Sequence, residues 1–498
     1  MRGHSSSPTA GATGNVVARS HPRHWRRTLL SLGATLALAV SALIAVPGTS
    51  QAAGTLPCDI YGAAGTPCVA AHSTVRALYS SYGGNLYQVT RASDNATANI
   101  GLLAPGGYAN AAAQDSFCAG TTCTISVIYD QSPQHNDLPI EPAGAAGAAD
   151  HGAVANALPM NVGGHNVYGV DITGDTGYRR ISTTGVATNG QPESMYMVAS
   201  GGHVNRGCCF DYGNVEHTIS DTGNGHMDAV NLGTTCFFQP CTGTGPWVAA
   251  DLENGLYQGA GSNTANKGNP SRFVTALLKN NGQTTFALKG GNSQSGGLTT
   301  WYNGPLPSGG YTPMHQEGSI VLGTGGDNSN ASIGSFFEGV MTAGYSTDAA
   351  DNAVQSNIVA AGYSGSSGPA TGWTIGAPGG KCVDVAGDDV GVDGTGVQLW
   401  DCQSYALDQH WTHNSDDSLS TLGRCLDING NGTAAGTQVE LWDCNGVGGQ
   451  KWVQQSDGSL LNPQSGLCLD DPSGNTADGT RLQIWTCNGT AAQKFPLS

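Results

Sequence analysis

Apolar residues along this chain recur mostly with the spacing of strands. Thr124-Ile125-Ser126-Val127-Ile128-Tyr129 and Ser319-Ile320-Val321-Leu322 read as strands, and Trp247-Val248-Ala249-Ala250 reads as another that runs into an acidic end, Asp251-Leu252-Glu253-Asn254. Heptads are absent and long amphipathic stretches are scarce, so residues 54–363 are expected to form a predominantly antiparallel β-sandwich in an all-β protein. Two stretches depart from this texture: one near the start of the chain and one at its end.

The first is an apolar run from Leu29 to about Val46, preceded by Arg19, Arg23, Arg26 and Arg27 and closed by Ser50-Gln51-Ala52-Ala53. Basic flank, short apolar centre and small residues predict a secretory leader over residues 1–53, cleaved near Ala52 or Ala53. A membrane anchor fits less well, because the run is short and no second span follows. Arg26-Arg27-Thr28-Leu29-Leu30 is a weak match to a twin-arginine signal, which leaves the export route open. The mature chain is expected outside the cell, where disulfides persist.

The second departure is an internal repeat. The last six cysteines fall as Cys382/Cys402, Cys425/Cys444 and Cys468/Cys487, one expected disulfide per unit. The text around them recurs as KCVDVAG…VQLWDC, RCLDING…VELWDC and LCLDDPS…LQIWTC. Three units of about 43 residues cover 372–498. No unit can bury its apolar face alone, so the three are expected to close around one axis. The pattern resembles the ricin-type β-trefoil with its Q-x-W signature, here Gln409-His410-Trp411, Gln450-Lys451-Trp452 and Gln493-Lys494-Phe495, with Phe495 in place of the third tryptophan. A Gly/Ser/Pro stretch over 364–371 reads as the linker between the two units.

Charge narrows the partners. The formal net charge is −17; the leader carries five arginines and no acid, so the mature chain holds 14 basic and 36 acidic residues, a net −22. That excess argues against nucleic acid or an anionic membrane as partner. Only 11% of residues are charged, against about 25% in typical domains, and 75 are glycine, a composition of short strands and tight turns.

Chemistry centres on carboxylates. Residues i and i+2 of a strand share a face, which predicts that Asp251 and Glu253 point the same way. Like charges so placed raise each other's pKa unless polar groups bind them, although a solvated strand end is the plainer explanation on spacing alone. Asp327 lies in the Gly-rich turn Gly323 to Asn330, which lacks the Gly-Lys-Ser/Thr of a phosphate loop and reads otherwise as a tight or calcium-binding turn. Glu216, Asp228, Glu317 and Glu338 are equally eligible on chemistry. The adjacent pair Cys208-Cys209 closes on itself, seeks distant partners, or holds a metal with His203, His217 and His226. Zinc is the least favoured, since structural sites use C-x₂₋₄-C spacing and an exported thiol pair is oxidised. Eight cysteines in this half allow 105 pairings.

The segments CCFDYGN (208–214), GHMDAVNLG (225–233), GPWVAADLEN (245–254), FALKGGNSQSG (286–296), GGDNSN (325–330) and EGVMTAGY (338–345) resemble the catalytic domain of glycoside hydrolase family 54, secreted α-L-arabinofuranosidases, over nearly all of 55–363. The resemblance implies Glu253 as nucleophile and Asp327 as general acid/base, with sugar contacts at Asp251, Asn254 and the backbone of Gly326. It implies disulfides Cys58–Cys68 and Cys118–Cys123, and a vicinal Cys208–Cys209 bond against the sugar. Cys236 and Cys241, expected to pair, lie in a loop where relatives carry a substrate-stacking tryptophan; Phe237 or Phe238 is the candidate replacement. Retaining glycosidases use two such carboxylates about 5–5.5 Å apart, without cofactor or metal.

The C-terminal unit resembles carbohydrate-binding module family 13. Its expected sugar contacts are Asp384, Gln398, Trp400 and Asp408 in the first repeat, Asp427, Glu440 and Trp442 in the second, and Asp470, Gln483 and Trp485 in the third, the first set being the most complete. The Q-x-W residues themselves are expected to be scaffold. The chain thus reads as a secreted, monomeric arabinofuranosidase tethered to arabinoxylan or arabinan. The alternatives are a sugar-binding lectin without hydrolytic activity, or a xylosidase or endo-arabinanase.

Overall fold

The structure, a computed structural model, describes residues 56–365 and 372–497 apart from 389–392, 403–406, 415 and 422–423. The leader and most of the predicted linker lie outside the described residues. Ser364 and Gly365 do not: the strand Tyr363–Gly365 pairs with Pro159–Val162, so the N-terminal unit extends past 363 into the expected linker.

Residues 56–365 form two antiparallel sheets packed face to face, with a smaller four-stranded sheet beside them. One large sheet runs Cys68–Ser73, Gly334–Ala343, Glu193–Ala199, Val274–Asn280, Thr285–Asn292 and Ser295–Pro305, with Val170–Ile172 also on Gly334–Ala343. The other runs Leu256–Tyr257, Trp247–Asp251, Asp228–Gly233, Asp211–Val215, Ser319–Leu322 and Tyr178–Arg180. Alternation divides this second sheet cleanly. Tyr178, Tyr212, Val230, Ala250 and Ile320 join the main core between the sheets, whereas Val215, Met227, Ala229 and Val321 form a separate cluster on the opposite face. Register then aligns one row across that outer face: Asp251 opposite Ala229, Ala229 opposite Gly213, Gly213 opposite Val321, Val321 opposite Arg179. The acid of the Trp247 strand therefore looks away from the core, on the side where a substrate can enter.

The helix Asp348–Ala361 begins with Thr347, whose Oγ1 accepts from Ala350 N, and ends at Gly362 in the left-handed region. Its first-turn acids, Asp348 and Asp351, receive hydrogen bonds from Lys279 and Lys289 on neighbouring strands at 2.6–2.8 Å.

The C-terminal unit is a β-trefoil whose core is one set of equivalent residues drawn from each repeat. Val383, Leu426 and Leu469 lie with Trp411, Trp452 and Phe495, all fully buried. Each Q-x-W glutamine crosslinks its own repeat. Gln409 Nε2 donates to Asp384 and to the Asp401 carbonyl, Gln450 to Asp427 and the Asp443 carbonyl, and Gln493 to Asp470 and the Thr486 carbonyl. Trp411 and Trp452 donate Nε1–H to the carbonyls of Val383 and Leu426 at 2.9 Å, a bond Phe495 forgoes.

One disulfide staples each repeat: Cys382–Cys402, Cys425–Cys444 and Cys468–Cys487. The two halves of each bridge differ in setting. Cys382, Cys425 and Cys468 are buried within strands, whereas Cys402, Cys444 and Cys487 are exposed, because each lies just past the end of the partner strand, at Asp401, Asp443 and Trp485. The exposed cysteines thus close the open end of a hairpin and add nothing to the shared core.

Candidate active site

The strand Trp247–Asp251 ends where the acidic segment begins, and the alternation expected to join Asp251 to Glu253 is broken there. Glu253 and Asn254 adopt φ of +70° and +52°, left-handed conformations that are uncommon for non-glycine residues and cost on the order of 1 kcal/mol or more. The turn carries the Glu253 carboxylate into a cavity of about 520 Å³ on the outer face of the six-stranded sheet. Tyr311 fixes the turn by donating its hydroxyl to the Glu253 carbonyl at 2.7 Å. Asp251 accepts the Glu253 N–H on Oδ1 at 3.0 Å, so the first acid shapes the turn that delivers the second.

Three backbone N–H groups hold the Glu253 carboxylate. Thr222 and Gly223 donate to Oε1 at 2.6 and 2.7 Å, and His226 donates to Oε2 at 3.1 Å. Burial raises its pKa and the neighbouring Asp221 adds to the rise, while the backbone donors and Glu216 oppose it. The donor loop is itself tied down by Glu317, which accepts from His217 N at 2.8 Å, Thr222 Oγ1 at 3.1 Å and lies 2.9 Å from His226 Nδ1.

Asp327 lines the same cavity from the loop after Ser319–Leu322. Ser329 donates its N–H and hydroxyl to Asp327 Oδ1 at 3.0 and 2.5 Å. Asn328, at φ +66°, turns the chain and donates to the Ala148 carbonyl at 2.6 Å. Arg179, fully buried and paired with Glu141, donates to the carbonyls of Gly325 and Gly326 and to that of Glu216 at 2.7–3.0 Å. One guanidinium thereby joins the Asp327 loop to the strand end beside Glu253.

Cys208 and Cys209 are bonded to each other across a cis peptide and line the cavity, with Cys209 Sγ 3.3 Å from Asp251 Oδ2. Below them lies Asp211; burial pushes Asp251 up to about 7, and burial with the Asp251 charge pushes Asp211 well above the carboxylate range. Asn254 and Gly326 also border the cavity. Phe237 stands 56% exposed at its mouth, while Phe238 stacks on Tyr257 at 4.6 Å, so of the two phenylalanines only Phe237 faces the opening. Cys58–Cys68, Cys118–Cys123 and Cys236–Cys241 are bonded as expected. The zinc set does not assemble: His203 is buried against Ser335 at 2.7 Å and His226 is engaged by Glu317.

Of the other eligible acids, Glu338 is buried in an ion pair with Arg76 and Asp228 is buried against Glu193, neither lining the cavity. Glu216 lines it, facing Glu253. Residue type could not separate these four; only the tertiary placement does.

The trefoil candidates fall into two groups. Trp400, Trp442 and Trp485 are 36%, 37% and 43% exposed. Asp408 is fully buried, its carboxylate accepting from Val385 N. Asp384 accepts from Gln398 and Gln409, and Asp470 from Gln483 and Gln493, each at 2.8–2.9 Å. Asp427 accepts from Gln450, while Glu440 accepts from Asn429. A cavity of about 680 Å³ opens in the third repeat around Asp470, Gln483 and Trp485, and Cys487 does not line it. In the first repeat 389–392 and 403–406 lie outside the described residues.

Residues 57–364 match the family model of the α-L-arabinofuranosidase B catalytic domain, and residues 372–495 match that of the ricin-type β-trefoil lectin domain. The probable α-L-arabinofuranosidase B of Aspergillus terreus is 52% identical over 344 residues, 67% of this chain and 67% of its own. The α-L-arabinofuranosidase B of Emericella nidulans is 52% identical over 344 residues, 66% of this chain and 67% of its own. A crystal structure of an arabinofuranosidase complexed with arabinofuranosyl-α-1,2-xylobiose covers 89% of this chain and 99% of its own, at 36% identity and a TM-score of 0.63. With this coverage, and with the catalytic-domain match enclosing the whole cavity, the chain belongs to the α-L-arabinofuranosidase B catalytic family and is a glycoside hydrolase.

Proposed function

We propose that this protein is a secreted, retaining α-L-arabinofuranosidase that removes terminal non-reducing arabinofuranosyl units from arabinoxylan or arabinan. The observation that carries the reading is the Glu253 carboxylate held by three backbone donors in one cavity with Asp327. Backbone donors fix the carboxylate without a competing positive charge, leaving it aimed and nucleophilic. Glu253 attacks the anomeric carbon while Asp327 gives its proton to the departing glycosidic oxygen, forming a covalent glycosyl-enzyme; Asp327 then takes a proton from water as it displaces Glu253. The Cys208–Cys209 pair supplies a rigid wall to the sugar subsite. Arabinoxylan is supported by the related crystal structure, whose ligand carries arabinofuranose on xylobiose.

The test uses an aryl α-L-arabinofuranoside. Glu253→Ala is expected to lose more than about 10⁴-fold in kcat. Asp327→Ala keeps a slow first step on such substrates, because a good leaving group needs little protonation, and loses most on unactivated polymer. NMR of the first product is expected to show the α-anomer. Equal losses in both variants on the aryl substrate, or an initial β-anomer, would overturn the assignment.

A further inference from the structure

Glu216 is a buried acid on the cavity wall to which neither the family resemblance nor the mechanism above gives a task. It follows the strand Asp211–Val215 and is 1% exposed. Its Oε2 has no hydrogen-bond donor among the described protein groups. The carboxyl faces that of Glu253 on the wall of the same cavity. On its other side it rests on Gly326: a Cβ added there would stand 2.0 Å from Oε2, so the residue preceding Asp327 must be glycine for Glu216 to occupy this position. Glu216 therefore lies between Glu253 and the glycine that precedes Asp327, and its carbonyl is fastened by Arg179 together with those of Gly325 and Gly326.

Two carboxyls in contact cannot both ionise at modest cost. Glu253 has three backbone donors for its negative charge, whereas Glu216 has only its own N–H and its Oε2 has no donor among the described residues, so the shared proton belongs on Glu216. We propose that Glu216 is a positioning residue that stands as a neutral carboxylic acid, donates its O–H to the Glu253 carboxylate, and seats the Gly326–Asp327 backbone against that bond. Burial, and then the Glu253 charge, push the Glu216 carboxyl up to about 9, in the same direction as the geometry. The charged and titratable groups facing the pair are Asp221, Asp327 and Arg206 around the cavity, Asp211 and Asp251 beneath it, and Arg179 behind Glu216.

The inference rests on Glu253 as nucleophile, and the Glu253→Ala measurement tests that premise separately, without touching Glu216. Glu216→Leu keeps the volume and removes the donor. A hydrogen bond to a charged acceptor is worth roughly 10- to 100-fold, so kcat/KM on the aryl substrate is expected to fall by that factor. The bond favours ionised Glu253, so its loss raises the Glu253 pKa and moves the acidic limb of the kcat/KM profile up by about one pH unit. Glu216→Gln restores a neutral donor and is expected to recover at least about tenfold of the loss and return the limb toward its original position. If the leucine variant does not fold, the glutamine variant decides alone: an acidic limb within about 0.3 units of the parent supports the proposal. A glutamine variant as impaired as the leucine one, or more than about 100-fold below the parent, overturns it by showing that Glu216 acts ionised. An acidic limb unmoved in a folded leucine variant overturns it as well.

Discussion

Burying a carboxyl group is costly unless it gives up its charge or finds a donor, and the N-terminal unit buries several in pairs. Glu193 and Asp228 face each other with Asn214 donating to Glu193 at 3.1 Å. Burial pushes Asp228 up to about 7, and burial together with the Asp228 charge pushes Glu193 well above the carboxylate range. Raised carboxyls bind protons in the folded state that the unfolded chain releases near pH 4. Their stabilisation is complete below that pH and is lost as pH rises through about 7. Thermal unfolding is therefore expected at a lower Tm at pH 8 than at pH 5. Asp228→Asn, which removes one titrating member and keeps a neutral side chain, is expected to shrink that difference by roughly 2–4 °C for each kcal/mol removed. Asp251, Glu141 and Glu216 titrate in the same direction, so the slope is reduced rather than abolished. An Asn variant whose Tm falls as steeply as the parent's would show that the pair is not protonated when folded.

At the level of elements, the site is made where strands stop. The strands themselves were legible: Ser319–Leu322 is found as expected, Thr124 to Tyr129 appears as Cys123–Ile128, and Trp247–Asp251 carries the acidic end. The shared face of Asp251 and Glu253 was not, because alternation ends at Asp251 and two left-handed residues follow. The Asn254-Gly255 pair was the available signal, since both tolerate turns. The three backbone donors to Glu253 had no signature at all, because an N–H belongs to every residue but proline. Arg179 was likewise silent in the sequence, yet it ties together elements from three parts of the chain. Its forked N–H groups meet the Glu141 carboxylate and three carbonyls, a task the point-like ammonium of lysine cannot perform. Arg179→Lys is expected to lower kcat on the aryl substrate by about tenfold or more, as the Gly325–Asp327 backbone loses its anchor, with a lower Tm alongside. Wild-type kcat in a folded lysine variant would show that the loop holds its geometry without the fork.

For the whole molecule, two units with different logic share one chain. The N-terminal unit was identified by scattered, distinctive segments, whereas the trefoil announced itself by threefold repetition, which is why its scaffold was predictable and its ligand sites were less so. Repetition paired the cysteines, and it places Asp384, Asp427 and Asp470 at equivalent positions, all three committed to holding a Q-x-W glutamine. Equivalence fails at Asp408, whose counterparts are Gly449 and Ala492, and its carboxylate accepts from Val385 N. What each repeat leaves outward is a tryptophan, and an indole face against the C–H side of a sugar gives weak, sequence-tolerant contact suited to a polymer. Under the proposed function, three weak sites on one chain would raise the local concentration of the catalytic unit at a polysaccharide without altering its chemistry. Replacing Trp400, Trp442 and Trp485 together by alanine is expected to lower retention on insoluble arabinoxylan and to cut arabinose release from it by about tenfold, relative to the rate on an aryl arabinofuranoside. Single replacements rank the repeats. The cavity around Asp470 and Gln483 predicts a measurable loss at Trp485, and the residue inventory predicts one at Trp400. An unchanged ratio of polymer to aryl rates in the triple variant would remove the tethering role and leave the trefoil as a partner in folding alone.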